Sequence, residues 1–560
     1  FAPRRVPRGV DSESDDDSDE EEHGDNNDGA GAELSRLLNN KVVYDYPVPD
    51  FISAVFGISK DDLKVPAHGL FLSEEDCEIY NVAGYASHRR DERSAYGPLM
   101  NILESLGGQL EGNVKDRRLN DSDMKDYRVF TSGDFGKHKP ELLASWVDWN
   151  SKLKRTWRAA AIVGELKKSK TSSKNMKGHT CEIHLDRIPK LRYVPILLDP
   201  EDIYEPQVTL ATENKKRKAG SPPYGQRRSA PKRPRFHDRG DLNRLPSPSC
   251  LMNPKANDSP VIKSLHELLS HGVRSYATGF RIQDFTMTLY YMDRMGVVVS
   301  EPFDFMDQPH FLLLYVAAIR YASPAQLGFF SKLGFLDDNV TDTLDGATLD
   351  LPGSADIDSK TLNDLRFVLE PDRPIIHAHG AQVGRATIVV PVKPFPRCEA
   401  AVVLCEENRI VAKIAWQSTS RRISEDSYIR VARTKLQASD SMRKHLKHIV
   451  DMKCALTQSM EEMKLSRVFM FGLPEEDAEN HRVCRILVMM EYIPLEMVDS
   501  VREFKLIFVG VIKGHHAVYE TSRILHRDIS INNIMFYRDS QGGAIGVLCV
   551  VPSWTPSKLR

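Results

Sequence analysis

The sequence predicts an α+β chain with two folded regions joined by a charged linker. Residues 32–204 alternate segments with apolar side chains at helical spacing and short apolar runs typical of strands, the pattern of an α/β domain. Residues 205–259 lose this periodicity and are rich in Pro, Ser, Arg and Lys, as disordered linkers are. From residue 371 onward, several strand-like segments come first, followed by a helix, another strand and a long helix. We therefore expect a sheet-rich lobe that leads into a helical one.

Composition and charge limit the class of protein. The chain has 560 residues, enough for two or three domains. Its net charge of -2 conceals an acidic tail over residues 1–31 and a basic block within the linker, and such blocks stay solvated. Its eight cysteines include no C-x-x-C pair, which suits a reducing compartment. No apolar run reaches the roughly 20 residues of a membrane helix, so we expect an intracellular protein with no membrane partner.

The first folded region is expected to continue beyond the linker. The segment "WRAAAIVGELKKS" predicts a buried strand that emerges into charge. After the linker, "VIKSLHELLSHGVR" predicts a helix, and the alternating segment that follows predicts a hairpin around the turn "DRMG". Residues 260–370 would then complete the N-terminal region. Residues 371–495 would form the sheet-rich lobe, and residues 496–560 the start of the helical lobe.

Acidic residues and a lysine near the predicted buried strand suggest a metal site in the first region. Glu165 and Lys167 end the strand, and Pro140 and Glu141 precede it. This arrangement resembles the core of the PD-(D/E)xK nucleases, in which carboxylates hold Mg²⁺ and the lysine steadies the attacking water. Glu104, on a preceding helix, is the candidate for a further acidic ligand. Three interpretations stay open: an active nuclease, a nuclease-like fold without activity, and an unrelated α/β domain.

The segment "ILHRDISINNIMF" has the residue types and the spacing of a phosphoryl-transfer loop. Such a loop needs an Asp that accepts the proton of the attacking hydroxyl, and an Asn five residues later that holds a metal ion on the phosphates. Asp528 and Asn533 have this spacing. His526 is expected to support the loop backbone, and Arg527 to contact an ordered activation segment. The segment therefore predicts a catalytic loop with Asp528 as its base.

Upstream segments supply residues that would bind a nucleotide in front of this loop. "IVAKIAW" places Lys413 on a strand between apolar neighbours, where its ammonium can reach phosphates. Glu425 opens the following helix and would hold the lysine in an ion pair, with Asp426 as the alternative partner. "VMMEYIP" resembles the hinge of protein kinases, and this resemblance implies that Met490 lies at the back of the adenine pocket. The backbone from Glu491 to Ile493 would then face the adenine edge.

The phosphate-covering loop is expected within "GAQVGRATIVV". Gly380 and Gly384 would let backbone amides approach phosphates closely. The usual triple-glycine spacing is absent, and Ala386 stands where another glycine would help. The sequence alone does not assign this loop.

Together, "GRATIVV", "VAKIAW", "RRISEDSYI" and "ILHRDISINNIMF" resemble the fungal-type protein kinase family. The resemblance covers roughly residues 261–548, and Ser530 stands where most serine/threonine kinases carry a lysine. It implies a protein kinase-like small lobe with an incomplete large lobe, and it implies ATP and Mg²⁺ as cofactors. It also implies transfer of the ATP γ-phosphoryl group to Ser or Thr of protein substrates, whose identity the motifs do not encode.

The residues after Asn533 depart from the pattern of that family. A kinase strand should lead within about a dozen residues to a metal-binding Asp, but the chain reads "GAIGVLCVVPSWTPSKLR", and no Asp follows Asp539. Loss of this ligand is expected to cost orders of magnitude in the rate of phosphoryl transfer. Two expectations follow: a truncated relative of an active kinase, or a pseudokinase fragment that acts as an interaction scaffold.

Two basic clusters in the linker predict nuclear import. They span residues 215–218 and 232–235, with a spacer between them, as in bipartite import signals. An import receptor is therefore an expected partner, and the nucleus is the expected compartment. The alternative is a solvated linker, or a patch that binds nucleic acid through phosphates alone.

Overall fold

The structure is a computed structural model that describes parts of both folded regions. The described residues are 34–63, 69–82, 92–110, 128–131, 142–145, 160–168, 182–192, 251–271, 273–334, 347–370, 373, 377–378, 386–405, 409–419, 423–471, 481–526, 529–549 and 555–556. The acidic tail lies outside them, and so do both basic clusters of the predicted linker.

One mixed sheet organises the first region, which ends at residue 332. Its helices are α1 Val48–Phe56, α2 Glu74–Val82, α3 Tyr96–Gln109, α4 Ser259–His271 and α5 Pro309–Tyr321, and its strands are β1 Val42–Tyr46, β2 Arg128–Thr131, β3 Leu142–Ser145, β4 Ala160–Lys167, β5 Tyr276–Gln283, β6 Thr286–Asp293, β7 Val297–Ser300 and β8 Phe303–Asp304. The described strands follow the order β1-β7-β6-β5-β4-β3-β2, with β8 paired to β6. β1 runs parallel to β7 and β4 runs parallel to β5, whereas the other neighbours are antiparallel.

The parallel pair of β4 and β5 depends on α4, which lies between them in the chain, because parallel neighbours need a crossover connection. Val261, Leu265 and Leu268 of α4 form one core with Val163 of β4. Gly279 of β5 allows close packing here, since a Cβ at this position would lie 2.7 Å from the carbonyl oxygen of Val163. The strand before the predicted linker and the hairpin after it therefore belong to one sheet.

Two details differ from the sequence prediction. The predicted turn at residues 293–296 joins β6 to β7, and a second hairpin turn at Asp284, with φ 60°, joins β5 to β6. Residues 251–258, which the sequence assigns to the linker, already belong to the fold. The carboxylate of Asp258 accepts hydrogen bonds from the hydroxyls of Tyr44 and Tyr290, each at 2.7 Å. The polar sequence around Asp258 does not predict its burial, because that burial depends on hydrogen-bond partners far away in the chain.

A larger antiparallel sheet organises the second region, which begins at β9. Its helices are α6 Glu399–Cys405, α7 Glu425–Gln437, α8 Ser466–Phe471 and α9 Val501–Ser522, and its strands are β9 Leu333–Gly334, β10 Thr348–Asp350, β11 Ser354–Asp356, β12 Thr361–Leu362, β13 Arg366–Leu369, β14 His377–Ala378, β15 Ile388–Pro394, β16 Ile410–Ser418, β17 Met452–Gln458, β18 Arg482–Met490, β19 Ile493–Pro494, β20 Ile524–Leu525, β21 Ile534–Arg538, β22 Ala544–Leu548 and β23 Thr555–Pro556. The described strands of the large sheet follow the order β12-β11-β17-β18-β16-β15-β13-β10-β9, with β14 paired to β15. Beyond it, β19, β21 and β22 form a small sheet, and β20 pairs with β23.

Helix α6 corrects the sequence prediction of a strand over "CEAAVVLCEE". Ala401 and Cys405, one helical turn apart, are buried. Val402 is 44% exposed and Val403 is 78% exposed. This burial follows the helical period, whereas a strand would bury alternate residues. Valine has an intrinsic preference for strands, but that preference has little effect where the side chains are exposed, as these two are.

The two faces of the large sheet pack against different partners. On one face, Ile414 and Trp416 of β16 belong to the same core as Tyr46 of the first region. On the other face, Val411 of β16 packs with Ile429 of α7. The fold is therefore α+β, and one apolar core runs from the first region into the second.

A buried ion pair also joins the two regions. Arg467 of α8 binds Asp293 at the end of β6 through two hydrogen bonds, from Nε to Oδ2 at 2.6 Å and from Nη2 to Oδ1 at 2.8 Å. Asp293 is 1% exposed and also accepts two backbone N–H groups of the turn that follows it. Next to this pair, the ring of Phe471 lies edge-on to that of Tyr46.

Helix α9 matches the long helix predicted from "FKLIFVGVIKGHHAVYETS". Ser500 caps its N-terminus, because its side-chain oxygen accepts the backbone N–H of Glu503 at 3.1 Å. No helix in the described part of the chain is both long enough and apolar enough to cross a membrane.

Replacement of Arg467 by Ala should destabilise the protein strongly. The change removes the cation that binds both carboxylate oxygens of Asp293, and the breaking of a buried ion pair costs about 3–5 kcal/mol in the free energy of unfolding. Urea unfolding of the purified protein measures this loss. Arg366→Ala is the matched control, because Arg366 pairs with Asp350 at the surface, where such pairs contribute about 0–1 kcal/mol. Equal losses in the two variants would contradict the role given to Arg467.

Candidate functional site

A buried ion pair between Lys413 and Glu425 lies at the centre of the site. Lys413 is on β16, on the face that α7 covers, and Glu425 is the first residue of α7. The ammonium Nζ lies 2.7 Å from the carboxylate Oε1. Glu425 is only 3% exposed. A carboxylate so deeply buried needs a cation and hydrogen-bond donors, and the lysine supplies the cation.

Local sequence explains why the carboxylate stands at this point. Ser424 caps the N-terminus of α7, because its side-chain oxygen accepts the backbone N–H of Ser427. The helix therefore begins at the next residue, Glu425. The positive end of the helix dipole favours a carboxylate in the first turn. Asp426, the alternative partner for the lysine, instead binds Arg430 one turn further along the helix. The geometry therefore pairs Lys413 with Glu425.

Arg430 ties α7 to the strand β11. Its Nε donates to the carbonyl oxygen of Asp356 at 2.8 Å, and its Nη2 donates to that of Ala355 at 3.0 Å. Since β11 pairs with β17, the helix is fixed to the edge of the sheet as well as to β16. The position of Glu425 is thus set from two sides.

The predicted hinge follows β18. The backbone N–H of Met490 donates to the carbonyl of Asp451 at 3.0 Å, and that of Glu491 donates to the carbonyl of Arg409 at 2.9 Å. The carboxylate of Glu491 binds Arg373, which lies before β14. Ile493 begins β19, which pairs with β21. The hinge is therefore held on both sides, and Arg373 is a partner that the sequence did not identify.

The predicted catalytic loop is described at its two flanks, and Arg527 and Asp528 lie outside the described residues. His526 is fully buried, and its Nε2 lies 2.9 Å from the carbonyl oxygen of Cys549. The side chain of Asn533 donates from Nδ2 to Oγ of Ser530 at 3.0 Å. The backbone N–H of Cys549 donates to the carbonyl of Asn533 at 2.8 Å. Both flanks of the loop are therefore attached to the end of β22.

Cys549 brings this end of β22 close to the ion pair. Burial raises the pKa of its thiol to about 12, while Lys413 lowers it and Glu425 raises it. Cys549 also packs against the cluster that contains Val411 of β16 and Ile429 of α7. The structure thus brings together Lys413, Glu425 and the flanks of the loop. The predicted glycines Gly380 and Gly384 lie outside the described residues.

The residues of the nuclease-like prediction are only partly brought together. Glu165 and Lys167 form an ion pair at 3.1 Å on β4, on the same face as Val163, which packs against α4. Glu104 is exposed on α3, whose buried side chains belong to the core on the other face of the sheet. Glu141 lies outside the described residues. Across the described residues, no three acidic, histidine or cysteine side chains are arranged to hold a metal ion.

His448 holds the segment that follows α7 against α9. Its Nδ1 donates to the carbonyl of Gly546 at 2.7 Å. Its ring lies close to the helix, since a Cβ on Gly510 of α9 would approach the ring within 2.7 Å. Burial lowers the pKa of His448 below its usual 6.5, and neighbouring basic side chains lower it further against the effect of the bond to Gly546. The neutral imidazole therefore connects the segment that follows α7 with β22 and α9.

A family model described as fungal protein kinase matches residues 261–549, just over half of the chain. No curated protein matches the chain. The matched segment contains α7, β16, β18, α9 and both flanks of the predicted loop.

Acidification should destabilise the protein through His448. Because its pKa in the folded protein lies below 6.5, the unfolded chain takes up the proton first as the pH falls. The stabilisation by neutral His448 is therefore present above pH 6.5 and is lost below it, with a slope of at most about 1.4 kcal/mol per pH unit. Urea unfolding between pH 7.5 and pH 5.5 measures the slope.

His448→Asn should reduce that slope, because the Asn amide can donate to Gly546 but does not titrate. His516→Asn is the matched control, since the side chain of His516 is 65% exposed on α9. A slope that is the same in the wild type and in His448→Asn would contradict the assignment.

Proposed function

The chain belongs to the fungal protein kinase family, and from this premise we propose that it binds ATP and transfers the γ-phosphoryl group to Ser or Thr of protein substrates. The observation that carries the proposal is the buried ion pair of Lys413 and Glu425 at 2.7 Å. An ammonium held in this way on a strand is a fixed point charge for nucleotide phosphates.

In this proposal, each part of the nucleotide has its own partner. Lys413 would bind the phosphates, and Gly380 and Gly384 are the sequence's candidates for bringing backbone amides close to them. Met490 closes the back of the adenine pocket. Peptide groups from Glu491 to Ile493 pair with the adenine edge, which is supported by the anchoring of this segment to β21 and to Arg373.

Asp528 would accept the proton of the substrate hydroxyl. His526, buried against Cys549, supports the backbone on one side of this residue. Arg527 would contact an ordered activation segment. A bound Mg²⁺ would neutralise charge on the phosphates, and Asn533 is the candidate ligand. Residues 549–553 read Cys-Val-Val-Pro-Ser and contain no Asp or Glu, so we derive no step through the metal.

The lack of Asp or Glu over residues 549–553 favours a second candidate function, a pseudokinase that binds nucleotide or protein without rapid transfer. The basic clusters at residues 215–218 and 232–235 support a nuclear site of action through an import receptor. In this case the protein would act as an interaction scaffold. The two candidates share the nucleotide pocket and differ in the rate of transfer.

Lys413→Met should weaken ATP binding at least about tenfold, which corresponds to about 1.4 kcal/mol. The change removes the cation and leaves Glu425 buried without it. Isothermal titration with ATP, with and without Mg²⁺, measures the dissociation constant. Lys393→Met is the matched control, because Lys393 is exposed on the neighbouring strand β15. Equal affinities in the wild type and in Lys413→Met would contradict the nucleotide site.

Asp528→Asn should abolish phosphoryl transfer while ATP binding stays within about twofold of the wild type. The amide keeps the size of the side chain but cannot act as a base at neutral pH. Transfer is measured with γ-labelled ATP and a mixture of Ser- and Thr-containing peptides. Transfer that depends on Asp528 supports the kinase. ATP binding with no transfer in the wild type supports the pseudokinase instead.

A further inference from the structure

A pair of buried polar side chains, Gln417 and Arg485, lies behind the central ion pair. Gln417 is 3% exposed on β16, and Arg485 is 7% exposed on β18. The guanidinium Nη1 of Arg485 donates to the side-chain oxygen of Gln417. The side-chain nitrogen of Gln417 in turn donates to Oε2 of Glu425 at 3.4 Å. A continuous chain of contacts thus runs from Arg485 through Gln417 and Glu425 to Lys413.

The register of the sheet places these groups on one face. Side chains alternate along β16, so Lys413, Ala415 and Gln417 all point towards α7. Arg485 lies directly opposite Ala415 on the antiparallel neighbour β18, diagonal to Gln417. The small Ala415 leaves space between Lys413 and Gln417, and the guanidinium of Arg485 comes from the neighbouring strand to reach the amide.

The amide of Gln417 can form hydrogen bonds with both the guanidinium of Arg485 and the carboxylate of Glu425. A guanidinium can only donate hydrogen bonds, and an ionised carboxylate can only accept them. The amide of Gln417 has one end of each kind, so its oxygen turns to Arg485 and its nitrogen turns to Glu425. Oε1 of Glu425 faces Lys413 and Oε2 faces Gln417, so both carboxylate oxygens are engaged. The carboxylate can no longer rotate freely about its last bond.

We propose that Gln417 and Arg485 are positioning residues that hold Glu425, and through it Lys413, in the arrangement that binds nucleotide phosphates. Neither residue reaches the nucleotide itself in this proposal. The inference rests on the proposed function, because it concerns how the phosphate-binding lysine is oriented. The competing explanation is that the pair stabilises the sheet and has no effect on the lysine.

The central variant is the double replacement Gln417→Met and Arg485→Met. It removes the donor and the acceptor together and leaves no unpaired guanidinium in the interior, so the fold should persist. We expect ATP affinity to fall about five- to tenfold, with a thermal unfolding midpoint close to that of the wild type. Gln458→Met is the matched control, because Gln458 lies on the neighbouring strand β17, and it should leave ATP affinity unchanged.

Two single variants test the direction of the hydrogen bonds. Gln417→Glu keeps the contact with Arg485 but turns a second acceptor towards Glu425, so ATP affinity should fall at least as far as in the double variant. Arg485→Lys keeps a cationic donor for the Gln417 oxygen, so affinity should stay within about threefold of the wild type. Wild-type affinity in Gln417→Glu would overturn the inference.

A second measurement does not depend on ATP. The rate at which an amine-reactive acetylating reagent modifies Lys413, followed by peptide mass spectrometry, should rise about fivefold in the double variant and stay unchanged in Gln458→Met. If the wild type binds no ATP, the proposed function fails, and the modification rate alone then decides the positioning role. If the wild type binds ATP and Lys413→Met does not, but the double variant matches the wild type in both measurements, the positioning role fails and the proposed function stands.

Discussion

The position of Lys413 and Glu425 depends on the burial of one face of β16 and β18 against the first region. Ile414, Trp416 and Ile486 lie in one core with residues of α1 and β1. Large apolar side chains contribute about 1.5–3 kcal/mol each when they are fully buried. The first region thereby fixes the strand that carries Lys413 from behind. The opposite face of the sheet, which α7 covers, can then carry charged and polar groups without loss of order.

The opposite face of β16 carries buried polar side chains. Lys413 and Gln417 take positions that a strand buried on both faces would normally give to apolar residues. Each buried charge nevertheless has a partner, since Glu425 binds Lys413 and Arg485 binds Gln417. One face of the strand is therefore apolar from Ile410 to Trp416, whereas the other face carries Lys413 and Gln417 beside the apolar Val411. This division follows directly from the alternation of side chains along a strand.

The sequence was most informative where structure is local. Periodicity predicted β16, α7 and α9, and spacing predicted the partners Lys413 and Glu425, although Asp426 stayed open until the helix was placed. The strand predicted at α6 was wrong, because valine preference depends on packing that a sequence does not show. Arg485 was missed, because its contact with residue 417 joins positions 68 apart in the chain. Sequence patterns carry no signal for such distant polar contacts.

The match to the kinase family begins at residue 261, within α4, and therefore leaves β4 outside it. In the fold, β4 pairs with β5 over six residues from Thr278 to Gln283. A protein that began at residue 261 would expose this edge of β5, with its row of unpaired N–H and C=O groups. Exposed edges of this kind recruit strands from other molecules and promote aggregation. The segment that the family model matches and the segment that keeps this sheet edge paired are thus different units.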